Sequence, residues 1–97
     1  MIRHVSLLKF NDGTSDAQVD AIAAALADLP GRLPQLTHYA YGRDIAINNG
    51  NYDFAVVAEC DTVEGYLGYR DDPEHQRILR ELIGPVLASR AAVQYRV

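Results

Sequence analysis

The chain contains a single cysteine, Cys60, so no disulfide can form within it. It has no CxxC pair and no Cys/His spacing of the kind that binds zinc. Cys60 sits inside an apolar strand pattern, where a buried structural thiol is expected rather than a reactive one. Runs of like charge are missing too: the formal net charge of −4 is spread along the chain. An acidic chain without a basic patch lacks the electrostatic footprint of a nucleic-acid binder. No apolar stretch approaches the roughly 20 residues needed to cross a bilayer. Met1-Ile2-Arg3-His4 leads straight into a strand pattern, without the long apolar core of a signal peptide. These absences lead us to expect a soluble, cytoplasmic protein that engages neither nucleic acid nor membrane.

What is present suffices for one core. Hydrophobic residues make up 48% of the 97 positions, and a chain of this length makes a single domain, here residues 1–97. Residues 2–10 read as a strand, with Ile2, His4, Ser6, Leu8 and Phe10 on one face and Arg3, Val5, Leu7 and Lys9 on the other. Neither face is purely polar, as expected of a strand covered on both sides. After the turn cluster Asn11-Asp12-Gly13-Thr14, Ser15 and Gln18 form a capping-box signature. Val19, Ile22, Leu26 and Leu29 then recur at helical spacing among alanines, and the helix is expected to stop at Pro30-Gly31.

A second strand is expected over 35–43, with Leu36, His38, Ala40 and Gly42 alternating with Thr37, Tyr39, Tyr41 and Arg43. The polar connection from Asp44 to Asn51 carries Asn48-Asn49-Gly50-Asn51, strong turn chemistry. Residues 52–60 make a third, apolar strand that forms a hairpin with the second. Asp61 or Thr62 caps a helix carrying Val63, Tyr66, Leu67 and Tyr69, which breaks at Asp71-Asp72-Pro73. Pro73 is acceptable at a first helical position, so a new helix starts there and carries Ile78, Leu79, Leu82 and Ile83 towards Gly84-Pro85. Ala91, Val93, Tyr95 and Val97 alternate as a last strand.

The resulting order, βαββαβ, predicts an α+β protomer of ferredoxin-like topology: a four-stranded antiparallel sheet with both helices on one face. The other face would carry Val5, Leu7, Ala55 and Val57 alongside Lys9 and Glu59. So large an apolar patch marks an interface. Packing it against the same face of a second copy buries it isologously and makes a dimeric α+β barrel.

Four segments resemble, in register and across essentially the whole chain, the stress-responsive dimeric α/β-barrel (Dabb) family. They are Ile2 to Phe10, Tyr41-Gly42-Arg43-Asp44, Asn51-Tyr52-Asp53-Phe54, and Tyr69 with Asp72-Pro73-Glu74-His75. The resemblance implies a ferredoxin-like protomer and a two-sheet dimeric barrel. Members include proteins with no assigned reaction, plant proteins linked to heat or salt stress, and a plant polyketide cyclase that closes a poly-β-keto chain by aldol condensation without a cofactor. Carried over residue by residue, the resemblance implies His75 and Tyr69 as the catalytic pair and His4 as a pocket residue. Asp72 stands where that family pattern has a further histidine, Phe54 where it has a third-strand pocket histidine, and about Leu26 where it has a first-helix tyrosine.

A neutral histidine near its ordinary pKa suits a general base. His75 could remove a proton alpha to a carbonyl while Tyr69 donates to the developing enolate. Tyr52, Tyr66 and Phe54 would supply an aromatic wall to a substrate pocket, or simply pack the core. His4 is either a satisfied core residue or part of that pocket, and burial would keep it neutral. Asp72 orients His75 or caps the helix. No cofactor is implied, and no histidine or carboxylate spacing resembles a metal-ligand set. Three functions remain open at this level: cofactor-independent acid–base chemistry on a ketide-like or other carbonyl compound, a non-catalytic stress-associated binding or structural dimer, and a cofactor-free monooxygenase.

Overall fold

Alternation along Ile2–Phe10 is realised as strand β1, in which every even-numbered residue is buried. The computed structural model describes residues 1–97. The chain continues as α1 (Asp16–Ala27), α2 (Leu29–Arg32), β2 (Leu36–Arg43), β3 (Phe54–Cys60), α3 (Val63–Asp71), α4 (Pro73–Ile78) and β4 (Leu87–Arg96). The four strands form one sheet in the order β2-β3-β1-β4, each pair antiparallel. This is the ferredoxin-like α+β architecture expected from the order of elements.

The capping box at α1 forms as its residues predict. Ser15 Oγ accepts from the Gln18 backbone N–H at 3.1 Å, and Gln18 Oε1 accepts from the Ser15 N–H at 2.8 Å. Val19, Ile22 and Leu26 form the buried stripe of the helix. The helix stops earlier than Pro30-Gly31 suggested. It ends at Ala27, and the separate single turn α2 comes next, with Pro30 at its start. The proline lacks only an N–H that the first turn would leave unpaired, so it opens this turn rather than ending the previous one.

Strand β3 also differs from expectation, beginning at Phe54 instead of residue 52. The Asp53 carboxylate accepts from the Phe10 N–H at 2.8 Å, and the Asp53 carbonyl accepts from the Asp44 N–H at 2.9 Å. These bonds hold the approach to β3 in a turn, with Gly50 at φ 83 supplying the left-handed residue. In β2 a bulge falls between Leu36 and His38, so Leu36 pairs with Cys60 and Tyr39 with Ala58. The extra residue shifts the parity. Leu36, Tyr39 and Tyr41 therefore share the helix-covered face, whereas simple alternation put Leu36 opposite the tyrosines.

Helix α3 is capped by Thr62, whose Oγ1 accepts from the Gly65 N–H at 3.0 Å. The break at Asp71-Asp72-Pro73 is present, and α4 passes through a π-helical turn at Leu79–Ile83 and a 3-10 turn at Gly84–Val86 into β4. All helices lie against one face of the sheet. Phe10, Phe54 and Val56 from that face join Ile22, Leu26, Leu29 and Ile78 from the helices in a single core. Cys60 is buried there as a free thiol, and burial pushes its pKa up. No helix is long and apolar enough to cross a membrane. The opposite face carries Val5, Leu7, Ala55 and Val57, with Val93 opposite Val5 and 55% exposed.

Candidate functional site

Between the sheet and the last helices lies a cavity of about 370 Å³. Its walls are Ser6 and Leu8 of β1, Val56 of β3, Leu26 of α1, Tyr69 of α3 and His75 of α4. A volume of this order suits a small organic molecule.

The break between α3 and α4 makes the central pair. Tyr69 and His75 are separated by the non-helical Asp72, so helical spacing alone would not bring them together. Asp72 caps α4, its Oδ2 accepting from the His75 N–H at 3.0 Å. The cap swings His75 back beneath α3, where its ring stacks on Tyr69 with centroids 4.2 Å apart and an interplanar angle of 27°. Both are buried, Tyr69 at 2% and His75 at 8% exposure.

His75 Nδ1 lies 3.0 Å from the Arg70 carbonyl oxygen, which can only accept. In the neutral ring the proton therefore sits on Nδ1, leaving Nε2 as the basic nitrogen. Burial lowers the His75 pKa, while the Arg70 carbonyl and the Asp72 carboxylate pull the other way. The Tyr69 hydroxyl lies 3.1 Å from that of Tyr39 on β2. Burial drives the Tyr69 pKa strongly upward and that of Tyr39 to about 12, against the opposing effect of the bond to Tyr69. Both are therefore neutral phenols at physiological pH. When Tyr39 donates to Tyr69, the proton of Tyr69 is free for another acceptor.

His4 stands behind this pair. Its ring centroid is 5.1 Å from that of Tyr66 and 6.5 Å from that of Tyr69. The side-chain amide of Gln94 donates to His4 Nδ1 at 2.7 Å, which places the ring proton on Nε2. Burial, helped by the charge of Arg90 and by His75, pulls the His4 pKa down to about 4. The two histidines are thus neutral with opposite tautomers. His75 offers a lone pair on Nε2, whereas His4 offers an N–H there.

Of the residues expected from the sequence, Tyr66, Tyr69 and His75 line the cavity and His4 packs against two of them. Leu26 of α1 lines it as well. The fold does not bring the other two there. Phe54 is 2% exposed and fills the core, stacked on Tyr41 at 6.5 Å and tilted against Phe10 at 6.2 Å. Tyr52 precedes β3 and borders a shallow depression with Leu7 and Ala55 of the open face. It leaves the strand because Asp53 bends that segment, so Tyr52 falls outside the alternation that Phe54 keeps.

Four residues of the site went unread in the sequence: Ser6, Tyr39, Arg90 and Gln94. Tyr39 was hidden by the bulge. The others were open to a parity argument, since Ser6 pairs with Ala92, Leu8 with Arg90 and His4 with Gln94, all facing the helices. Ala91, Val93 and Tyr95 alternate with them on the open face. No three or more His, Cys, Asp or Glu side chains come together in a group that could hold a metal ion.

Comparison with known proteins places this geometry in a family. The model of the stress responsive A/B barrel domain (Dabb) matches residues 2–97. An uncharacterized protein of Streptomyces coelicolor is 32% identical over 78 residues, covering 78% of this chain and 80% of the relative. A crystal structure from Thermobifida fusca, described as a dimeric ferredoxin-like protein of unknown function, has 44% identity and a TM-score of 0.91, covering 99% of this chain and 90% of that one. The hydroxynitrile lyase of Passiflora edulis shares the fold at 18% identity, with a TM-score of 0.84 over 99% of this chain and 92% of the lyase.

Proposed function

The chain belongs to the stress responsive A/B barrel domain family, and on that footing we propose that it is a homodimer whose cavity performs cofactor-independent acid–base chemistry on a ketide-like carbonyl compound. The observation that carries this reading is the buried Tyr69–His75 stack on the wall of an apolar cavity. His75 Nε2 takes the proton alpha to the carbonyl as the C–H bond breaks, and its electron pair becomes the enolate. The Tyr69 hydroxyl, held by Tyr39, donates to the enolate oxygen. The enolate then attacks a second carbonyl of the same substrate, forming a carbon–carbon bond while that C=O π pair becomes an alkoxide that takes the proton from His75, or the enolate carbon recovers that proton. A hydroxynitrile lyase shares this scaffold, which is an analogy of fold alone.

The partner is a second copy, seated on the sheet face that carries Val5, Leu7, Ala55 and Val57. The dimeric description of the Thermobifida fusca protein supports a second copy as the partner. In deuterated water, the wild-type protein is expected to speed exchange of the protons alpha to a ketone, followed by NMR. His75→Ala should cost on the order of 10²-fold or more, and Tyr69→Phe should also slow the exchange, with the fold intact by circular dichroism. Exchange that is no faster than in buffer, or equally fast in His75→Ala, removes the catalytic reading and leaves a binding dimer.

A further inference from the structure

The protein is acidic, with 13 Asp and Glu against 9 Lys and Arg, yet no carboxylate lines the cavity. Two guanidiniums do, those of Arg70 and Arg90. Arg70 is neutralised by its neighbour, since its Nε and an Nη both donate to the Asp71 carboxylate, at 2.8 and 3.1 Å. Arg90 has no such partner. Six of the nine cations pair with a carboxylate: Arg3, Lys9, Arg43, Arg70, Arg77 and Arg80. Of the remaining Arg32, Arg90 and Arg96, only Arg90 borders this cavity. Its placement results from register, because pairing with Leu8 points it to the helix-covered side of the edge strand β4.

An unpaired guanidinium at the mouth of an apolar cavity is a receptor for an anion. Ser6, 7% exposed, adds a hydroxyl to the same wall. Leu26, Leu79, Ile83 and Leu87 are among the apolar side chains that the lining offers to a hydrocarbon body. We propose that the ligand is a carbonyl compound bearing a carboxylate, its charged end held by Arg90 and its apolar body in the cavity beside Tyr69 and His75. One uncompensated positive charge matches a monocarboxylate better than a phosphate dianion. The inference deepens the acid–base reading and, in its placement of the carbonyl, rests on it.

The test compares 3-benzoylpropionate, a stable keto acid, with its uncharged methyl ester. Isothermal titration calorimetry at low ionic strength should show the acid binding the wild-type protein about tenfold more tightly than the ester. Arg90→Gln should reduce acid affinity to that of the ester and leave the ester unchanged. Arg90→Lys should recover part of the preference, and Arg96→Gln, which alters an unpaired arginine away from the cavity, should not disturb it. Equal binding of acid and ester, binding of neither at millimolar concentration, or a preference that survives Arg90→Gln overturns the proposal. Alpha-deuteration of both probes separates the two claims. Exchange that depends on His75 without any preference for the acid sustains the chemistry and defeats the anchor. An Arg90-dependent preference without exchange sustains the anchor and defeats the chemistry.

Discussion

His4 makes the stability of the protomer depend on pH. In the unfolded chain its imidazole takes up a proton near pH 6.5, but in the fold only near pH 4, because the site is buried and Arg90 lies close by. Between those values the unfolded state binds the extra proton. Stability is therefore fully present above about pH 6.5, falls as the pH drops and levels off near pH 4, by at most about 3 kcal/mol in total. His75, with its pKa also lowered, contributes in the same direction. Urea unfolding at fixed protein concentration should show the wild-type midpoint falling across that window, and His4→Gln should flatten much of the fall. An equally steep decline in His4→Gln would show that another group governs acid sensitivity. Tyr66, Tyr69, His75 and His4 were named from the sequence, as was the neutrality of a buried His4, but the tautomers were not. Those depend on an amide from β4 and a carbonyl from α3 that approach only after folding.

At the scale of elements, the junction of α3 and α4 decides the site. A single continuous helix would send residues six apart to different faces. The non-helical Asp72, at φ −56 and ψ 133, redirects the chain and caps α4. Asp72→Ala should cost about 1 kcal/mol of stability, a usual value for a lost cap. It should also slow alpha-deuteration by loosening His75 against Tyr69, while Asp72→Ser retains both. Measured stability and exchange that are indifferent to the alanine would mean that packing alone positions His75. The sequence announced this element clearly, since Asp-Pro is both a helix break and a helix start. The bulge in β2 had no comparable signature: Thr37 bonds to the Glu59 carbonyl at 3.1 Å, a contact made only once β3 lies alongside.

At the scale of the molecule, the unpartnered sheet face is the one we propose for assembly. Val57 lies opposite Val5 on one side and Ala40 on the other, and Val93 extends the patch beyond Val5. Val57→Glu would bury an unpaired charge between two such faces, a cost on the order of several kcal/mol. Sedimentation velocity should then report monomer, or a dimer weakened by orders of magnitude. An unchanged dimer would place the interface elsewhere. Arg3, which donates to Glu59 and Tyr95 at 2.8 Å each, sits at the border of this face as an ordered polar rim.

By itself the sequence determined the order of strands and helices, the capped start of α1, the break before α4 and the apolar open face. Each comes from local chemistry: side-chain alternation, helical periodicity, cap oxygens and the geometry of proline. Tertiary structure alone decided that Phe54 belongs to the core, that Tyr52 leaves the strand, that Tyr39 reaches Tyr69 and that Arg90 stands unpaired at the cavity. These depend on strand register, a bulge and the proximity of residues dozens of positions apart. No local periodicity encodes such distances; the packed sheet sets them.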